Sequence, residues 1–316
     1  MASETALRAA TGPPASERFR RTESAVWAHY GLAPTERVIQ LTDPHLRVRI
    51  LEVGSGQPVL MVHGTIGSGA FPSLIEADGG QRRFIVIDRP GWGGSQPFRM
   101  AAHDYRRLSA DILAGVLDAL GIERATVIGG SIGDVWALSF AERYPARVDR
   151  VVLLGGGPLT DAVTPPPLIR RVASPLGAVM VRLPLTTSML RSMLAGSGHA
   201  PSLADGRIPD AFLAYRTSAG TDTAAMRHER TMIKDVVEGN AWRQGLVFGD
   251  AALARIPTPV LMLWGTADGL GDEATWRRFL SSLPNGALEV VPGAGHMLWF
   301  DELRRVADRI DGFLGG

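Results

Sequence analysis

A chain of 316 residues, 45% hydrophobic and 21% charged, is long enough for one large α/β domain or one such domain carrying an insertion. Lys and Arg number 33 against 32 Asp and Glu, a net charge of +1, which gives no broad field for nucleic acid or an anionic membrane surface. There is no cysteine, so disulfides, thiolate catalysis and Cys-ligated metal are excluded, and the composition fits the cytoplasm.

Residues 1–16 read as a polar tail with no apolar core of a signal peptide. No later apolar run has the length of a bilayer span. A first helix is expected from Glu17 to Tyr30, ending at Gly31. "RVIQL" and "LRVRILEV" alternate as half-exposed strands do, whereas "PVLMV", "RFIVI", "ATVIG" and "VVLL" are continuous apolar runs suited to strands buried on both faces. Helical segments fall between them, from Asp104 to Leu120 and from Gly133 to Tyr144. Strands alternating with helices imply a parallel sheet covered on both sides. From Pro158 to about Asp250 proline clusters and amphipathic stretches replace the strands, which predicts a helical insertion at 158–250 between core segments 17–157 and 251–316. The α/β rhythm resumes with "PVLMLWG", a helix near Glu273 to Leu283, "ALEVV", and a last helix from Phe300 to Leu314.

"GGSIG" at 129–133 lies between an apolar run and a helical segment. A serine hydroxyl becomes a nucleophile when a base takes its proton and a sharp strand-to-helix corner exposes its oxygen, so Ser131 is the candidate nucleophile. The run "PVLMVHGTIGS" ends a strand in a loop whose backbone N–H groups can face developing negative charge. Its Thr65 amide and that of Ile132 are the expected oxyanion donors, and His63 is expected to be structural. His296, in "GAGHM", is the candidate base, and it follows Ser131 and an Asp in the chain order of a hydrolase. His29, His45, His103, His199 and His228 lie in no such context and default to surface or packing roles. Asp268, in the loop "GTADG" after a strand, is the candidate carboxylate that holds the imidazole; Asp272 and Glu273 compete but read better as the first turn of the next helix.

With "HGTIGS", "DRPGWGGS", "GGSIGD", "GTAD" and "GAGHMLWF" in this order, the chain resembles the α/β-hydrolase family over about residues 36–314. The resemblance implies a mostly parallel eight-stranded sheet flanked by helices, with a cap inserted after the sixth strand. It places the nucleophile at Ser131, the base at His296, the acid at Asp268 and the oxyanion hole at Thr65 and Ile132. Two departures stand out. Asp134 occupies a position where many members carry glycine, and a first-turn carboxylate there suits the helix dipole by about 0.3–1 kcal/mol. Gly130 replaces a bulkier residue before the nucleophile.

The expected reaction is hydrolysis of an ester or related acyl compound through an acyl-serine, with no metal and no organic cofactor. By resemblance the scaffold also hosts carbon–carbon bond hydrolysis, lyases and acyl transfer; a third class is a small-molecule binding protein with an inert pocket, against which the full set of three residues argues. Phe71, Trp92, Trp136, Phe212, Trp242 and Met297 are candidate apolar walls of a substrate pocket beneath the insertion. Arg170, Arg171, Arg182 and Arg191 of the insertion read as a solvated helix face. The partner is then a small molecule, with neither nucleic acid nor membrane.

Overall fold

The structure, a computed structural model, describes residues 16–315; the polar tail expected at 1–16 lies, apart from Ser16, outside them. Ser16 opens α1 (Glu17–His29) by accepting the Phe19 amide on its Oγ at 3.1 Å, with Glu17 in the first turn where the helix dipole favours an anion. There follow β1 (Thr35–Thr42), β2 (His45–Val53), β3 (Gln57–Val62), α2 (Pro72–Ala77), β4 (Arg82–Ile87), α3 (Tyr105–Ala119), β5 (Ala125–Gly130), α4 (Ile132–Arg143) and β6 (Val148–Leu154). The segment after β6 holds α5 (Pro167–Ala173), α6 (Gly177–Met180), α7 (Thr187–Leu194), a π-helical turn at Ala195–His199, α8 (Ala200–Ala204), α9 (Asp210–Asp222), α10 (Ala225–Val236), a two-stranded hairpin of β7 (Val237–Glu238) and β8 (Ala241–Trp242), and α11 (Asp250–Leu253). The chain then returns through β9 (Val260–Gly265), α12 (Glu273–Ser281), β10 (Gly286–Val291), α13 (Leu298–Asp301) and α14 (Leu303–Leu314). The insertion is therefore helical with one short hairpin, which its two-residue strands are too brief to announce in the sequence.

Eight strands form one sheet in the order β1-β2-β4-β3-β5-β6-β9-β10, parallel except for the antiparallel pairings of β2 with β1 and β4. The strand side chains divide by period two. Leu60, Val62, Val127, Val151, Leu153, Val260 and Met262 enter one core with α3, α4 and α12; Val59, Met61, Ile128, Val152, Leu154, Leu261 and Leu263 enter a second with α1, α2, α14 and parts of the insertion. Continuous apolar runs are the consequence of burial on both faces. The last helix is two pieces, broken at Glu302, whose φ of −136° and ψ of 55° lie outside the helical region.

A buried cation ties the first helix to this sheet. On β2, Arg49 donates to both Glu23 oxygens of α1 at 2.9 and 2.7 Å, to Glu36 of β1 at 2.8 Å and to Asp88 after β4 at 2.7 Å. Asp88 also accepts the Ser68 hydroxyl at 2.8 Å, so the same network anchors the loop that follows β3. Glu36 is half-exposed, but Glu23 and Asp88 are buried, and losing one such buried partner typically costs about 3–5 kcal/mol.

Candidate active site

The sheet delivers four loops to the carboxyl ends of its parallel strands, where open α/β sheets place their ligands. Ser131 follows β5 at φ 58°, ψ −119°, and it is the only non-glycine residue with positive φ among the described residues. Such backbone strain persists only where the surroundings over-determine it. Here they do: the Ser131 amide donates to Leu154 O at 3.2 Å and its carbonyl accepts the Asp134 amide at 2.9 Å. A Cβ on Gly129 would stand 2.6 Å from the Asp134 N and Gly133 O, so glycine alone permits helix α4 to start this close to its strand.

The loop after β3 passes against the serine, since a Cβ on Gly64 would lie 2.8 Å from Ser131 Cβ and 3.5 Å from its Oγ. Among the described residues, the amides of Thr65 and Ile132 donate to no group; Ile132 is the first residue of α4, at the positive end of its dipole. His63 is sealed and structural: its Nδ1–H donates to Gly64 O at 2.7 Å and its Nε2 accepts the Arg89 amide at 3.1 Å. Burial, then the Arg89 charge, pulls its pKa down to about 3. Arg89 supports the loop from below through Nε to His63 O at 2.8 Å and Nη2 to Gly64 O at 3.0 Å.

His296 follows β10 and its Nδ1 lies 2.9 Å from Asp268 Oδ2, in the loop after β9. The same Asp268 oxygen accepts the Gly156 amide at 2.8 Å, and Oδ1 accepts the Leu270 amide at 3.0 Å. These bonds orient the carboxylate and place the imidazole proton on Nδ1, leaving Nε2 without a proton. Burial opposes a charged imidazole, but the Asp268 carboxylate outweighs it and the net pKa of His296 is raised. The end of β6 is the wall shared by the three residues. A Cβ on Gly155 would stand 3.3 Å from His296 Nδ1 and 3.5 Å from Asp268 Oδ2, while the preceding residue, Leu154, accepts the Ser131 amide. Among the described residues no hydrogen bond joins Ser131 Oγ to His296; such contacts are often long before substrate binds. Asp272 caps α12 through the Thr275 amide at 2.7 Å and Glu273 sits in its first turn, away from the imidazole contact.

Asp134 sits in the first turn of α4, as the sequence suggests, and is fully buried there, with Oδ1 accepting the Leu154 amide at 3.3 Å and Oδ2 without a partner among the described residues. Burial, with the nearby Asp268 charge, raises its pKa well above the usual carboxyl value. The reason is that α4 is buried along Ile132–Ala141 and offers no solvated N-terminal face.

The six expected pocket walls are all buried but do not form one surface. Phe71 pairs with Trp299 at 5.9 Å between centroids, and both rings come within 4 Å of a Cβ placed on Gly130, beside Ser131. Trp92 lies edge-on to His63 at 5.2 Å. Phe212 packs on Phe300 and Met297 lies in the same core cluster. Trp136 and Trp242 fall in the other cluster; Trp136 bonds Tyr105 and lines a cavity of about 200 Å³ with Arg89, His228 and Glu229 that Ser131, Asp268 and His296 do not line.

Three groups escaped the sequence reading. Arg216 on α9 is 3% exposed, stands 5.5 Å over the Trp92 ring, and has Nε and Nη1 unpartnered among the described residues; burial lowers its pKa. Glu229 on α10 accepts Arg89 at 2.9 Å and the Trp92 indole at 2.7 Å. His199 contacts the His296 loop. Their partners are distant in sequence, and no local spacing marks them. Among the described residues, no group of three or more His, Asp or Glu is arranged to hold a metal ion.

Comparison with known proteins agrees with this architecture. The chain is 28% identical over 305 residues to a 2-hydroxy-6-oxononadienedioate/2-hydroxy-6-oxononatrienedioate hydrolase of Cupriavidus pinatubonensis, covering 90% of this chain and 96% of the relative. It is 31% identical over 272 residues to a second such hydrolase from Pseudomonas putida, covering 79% and 85%. In three dimensions it is similar to the naproxen esterase of Bacillus subtilis, with a TM-score of 0.72 and 21% identity over 96% of this chain and 100% of that one. The family model for the alpha/beta hydrolase fold matches residues 57–303, and with the strained serine corner on a mostly parallel eight-stranded sheet this makes the chain a member of the α/β-hydrolase family.

Proposed function

We propose that the protein is a serine hydrolase that cleaves a carbon–carbon bond next to a ketone in a small, carboxylate-bearing conjugated substrate. The observation that carries the hydrolase reading is the pairing of His296 Nδ1 with Asp268 across two strand ends, beside a serine strained to φ 58°. Ser131 Oγ attacks the carbonyl as His296 Nε2 takes its proton, Asp268 steadies the imidazolium, and the Thr65 and Ile132 amides donate hydrogen bonds to the oxyanion. In the 2-oxo tautomer of the substrate the bond from the carbonyl carbon to its saturated neighbour then breaks, its electron pair passes into the conjugated chain as an enolate, and the His296 proton ends on that chain. Water, activated by the same imidazole, releases the acid from Ser131.

Two features favour this substrate class over the ester expected from the sequence. The relatives' names describe substrates with a 2-hydroxy group, a 6-oxo group and two carboxylates. Arg216 supplies a sealed guanidinium with two unpartnered nitrogens, suited to a carboxylate. The insertion, from which Arg216 comes, serves as the cap over the substrate. Hydrolysis of an uncharged ester is the second reading, favoured by the apolar Phe71 and Trp299 rings beside Gly130. Rates on a 2-hydroxy-6-oxo dienoate and on neutral p-nitrophenyl esters separate the two. At least a hundredfold higher kcat/KM for the dienoate is expected, and a preference for the neutral esters would reverse the assignment.

A further inference from the structure

The loop that carries His296 has no regular structure of its own, yet three consecutive backbone amides in it are all held. Gly295 N donates to Asp301 Oδ2 at 2.8 Å, His296 N to Ser197 O at 3.0 Å, and Met297 N to His199 Nε2 at 3.0 Å. Two of these three acceptors belong to one π-helical turn of the insertion, Ala195–His199. The third, Asp301, lies 2.8 Å from His199 Nδ1 through the same Oδ2 and accepts the Ser202 hydroxyl on Oδ1. His199 and Ser202 are fully buried and Asp301 nearly so.

The turn reaches both loops of the site. Gly198 has φ 92°, and a Cβ there would stand 2.6 Å from Ala267 O, beside Asp268, and 2.7 Å from Gly295 Cα. A Cβ on Gly295 would in turn meet Ser197 O at 2.5 Å and His199 Cε1 at 2.8 Å. Glycine faces glycine at this contact because backbone passes backbone. Since Nε2 of His199 accepts the Met297 amide, its proton sits on Nδ1, which lies 2.8 Å from Asp301 Oδ2 but makes no hydrogen bond among the described residues.

We infer that His199, braced by Asp301, is a positioning residue that sets the register of the His296 loop, so that the insertion forms part of the catalytic framework. The inference rests on the hydrolase reading above. Displacing a reacting group by about 1 Å can cost about a hundredfold in rate, and that is the scale of loss expected when this support is removed.

The test compares His199→Ala, which removes the acceptor, with His199→Gln, whose amide oxygen extends to about the reach of Nε2. Expected are a kcat lower by about a hundredfold in H199A with KM changed by less than about threefold, and recovery to within about tenfold of the parent in H199Q. A second readout needs no turnover: the low-field proton resonance of His296 Nδ1–H, assigned by its loss in His296→Ala, shifts or broadens in H199A and is retained in H199Q. An H199A variant with parental kcat and an unmoved resonance overturns the inference, as does an H199Q variant impaired equally with H199A. Should H199A fail to fold, H199Q against His199→Asn decides, because the shorter amide cannot reach the Met297 amide; equal kcat and equal resonances in that pair would again overturn it. A parent protein that turns over no substrate would count against the hydrolase reading, while the resonance still tests the support.

Discussion

Two histidine–aspartate pairs lie side by side in this molecule, and they differ at the far nitrogen. His296 and Asp268 are 2.9 Å apart, His199 and Asp301 2.8 Å. The His296 side chain is 20% exposed and no hydrogen bond is made to its Nε2 among the described residues; the His199 side chain is sealed and its Nε2 is spent on the Met297 amide. A carboxylate lies beside Nδ1 in either case, hydrogen-bonded to His296 and in close contact without a hydrogen bond at His199. Only an open Nε2 makes the imidazole a base, and a closed one makes it a brace.

The largest effects should fall on the open pair and its nucleophile. Ser131→Ala and His296→Ala are each expected to lower kcat by about a million-fold, toward the residual rate left by binding and the oxyanion donors, in a stopped assay on the preferred substrate. Asp268→Asn should cost about 10⁴-fold by favouring the wrong tautomer, whereas Asp301→Asn should stay within about a hundredfold, the scale of a misplaced loop. Because the Asp268 carboxylate raises the pKa of His296 against the effect of burial, the parent should lose kcat/KM as pH falls through a value above the ordinary imidazole pKa of about 6.5. That acid limb should move to lower pH in D268N. Comparable losses in the two Asp→Asn variants would erase the distinction between the pairs.

Smaller effects sharpen the picture around them. Arg216→Met should reduce kcat/KM by about 10- to 100-fold on carboxylate-bearing substrates, the worth of a lost charge-assisted hydrogen bond, with neutral esters nearly unaffected. Asp134→Asn should barely change kcat yet alter stability with pH. Its folded pKa is raised by burial, so the parent loses stability as pH rises from the unfolded carboxyl value toward the folded one, where the unfolded chain ionises and the folded one does not. The melting temperature of D134N relative to the parent should therefore climb between pH 4 and pH 8. A constant difference over that range would mean that Asp134 is ionised in the fold.

Much of the fold was legible because strands buried on both faces must be apolar throughout. "PVLMV", "RFIVI", "ATVIG", "VVLL", "PVLMLWG" and "ALEVV" fall within or largely overlap β3, β4, β5, β6, β9 and β10. The serine corner was legible for a related reason, since only glycine tolerates the approach of α4 to β5 and the spacing records it. The first-turn place of Asp134 was legible but its burial was not, because burial of the whole of α4 is set by the sheet and by residues far away in sequence. The same distance hides His199, whose acceptors and donors come from segments near 267 and 295–301. Of the insertion's arginines, Arg171, Arg182 and Arg191 are exposed as the sequence suggests, Arg170 is half-buried with its Nη1 donating to Asn240 Oδ1 at 2.6 Å, and Arg216 is buried.

Reaction of the full-length protein with a fluorophosphonate, followed by intact mass and peptide mapping, tests the proposed nucleophile most directly. One equivalent should attach at Ser131, none in Ser131→Ala, and attachment should slow by orders of magnitude in His296→Ala while remaining readily detectable in His199→Gln. Label found on another residue, or taken up unchanged by Ser131→Ala, would contradict it.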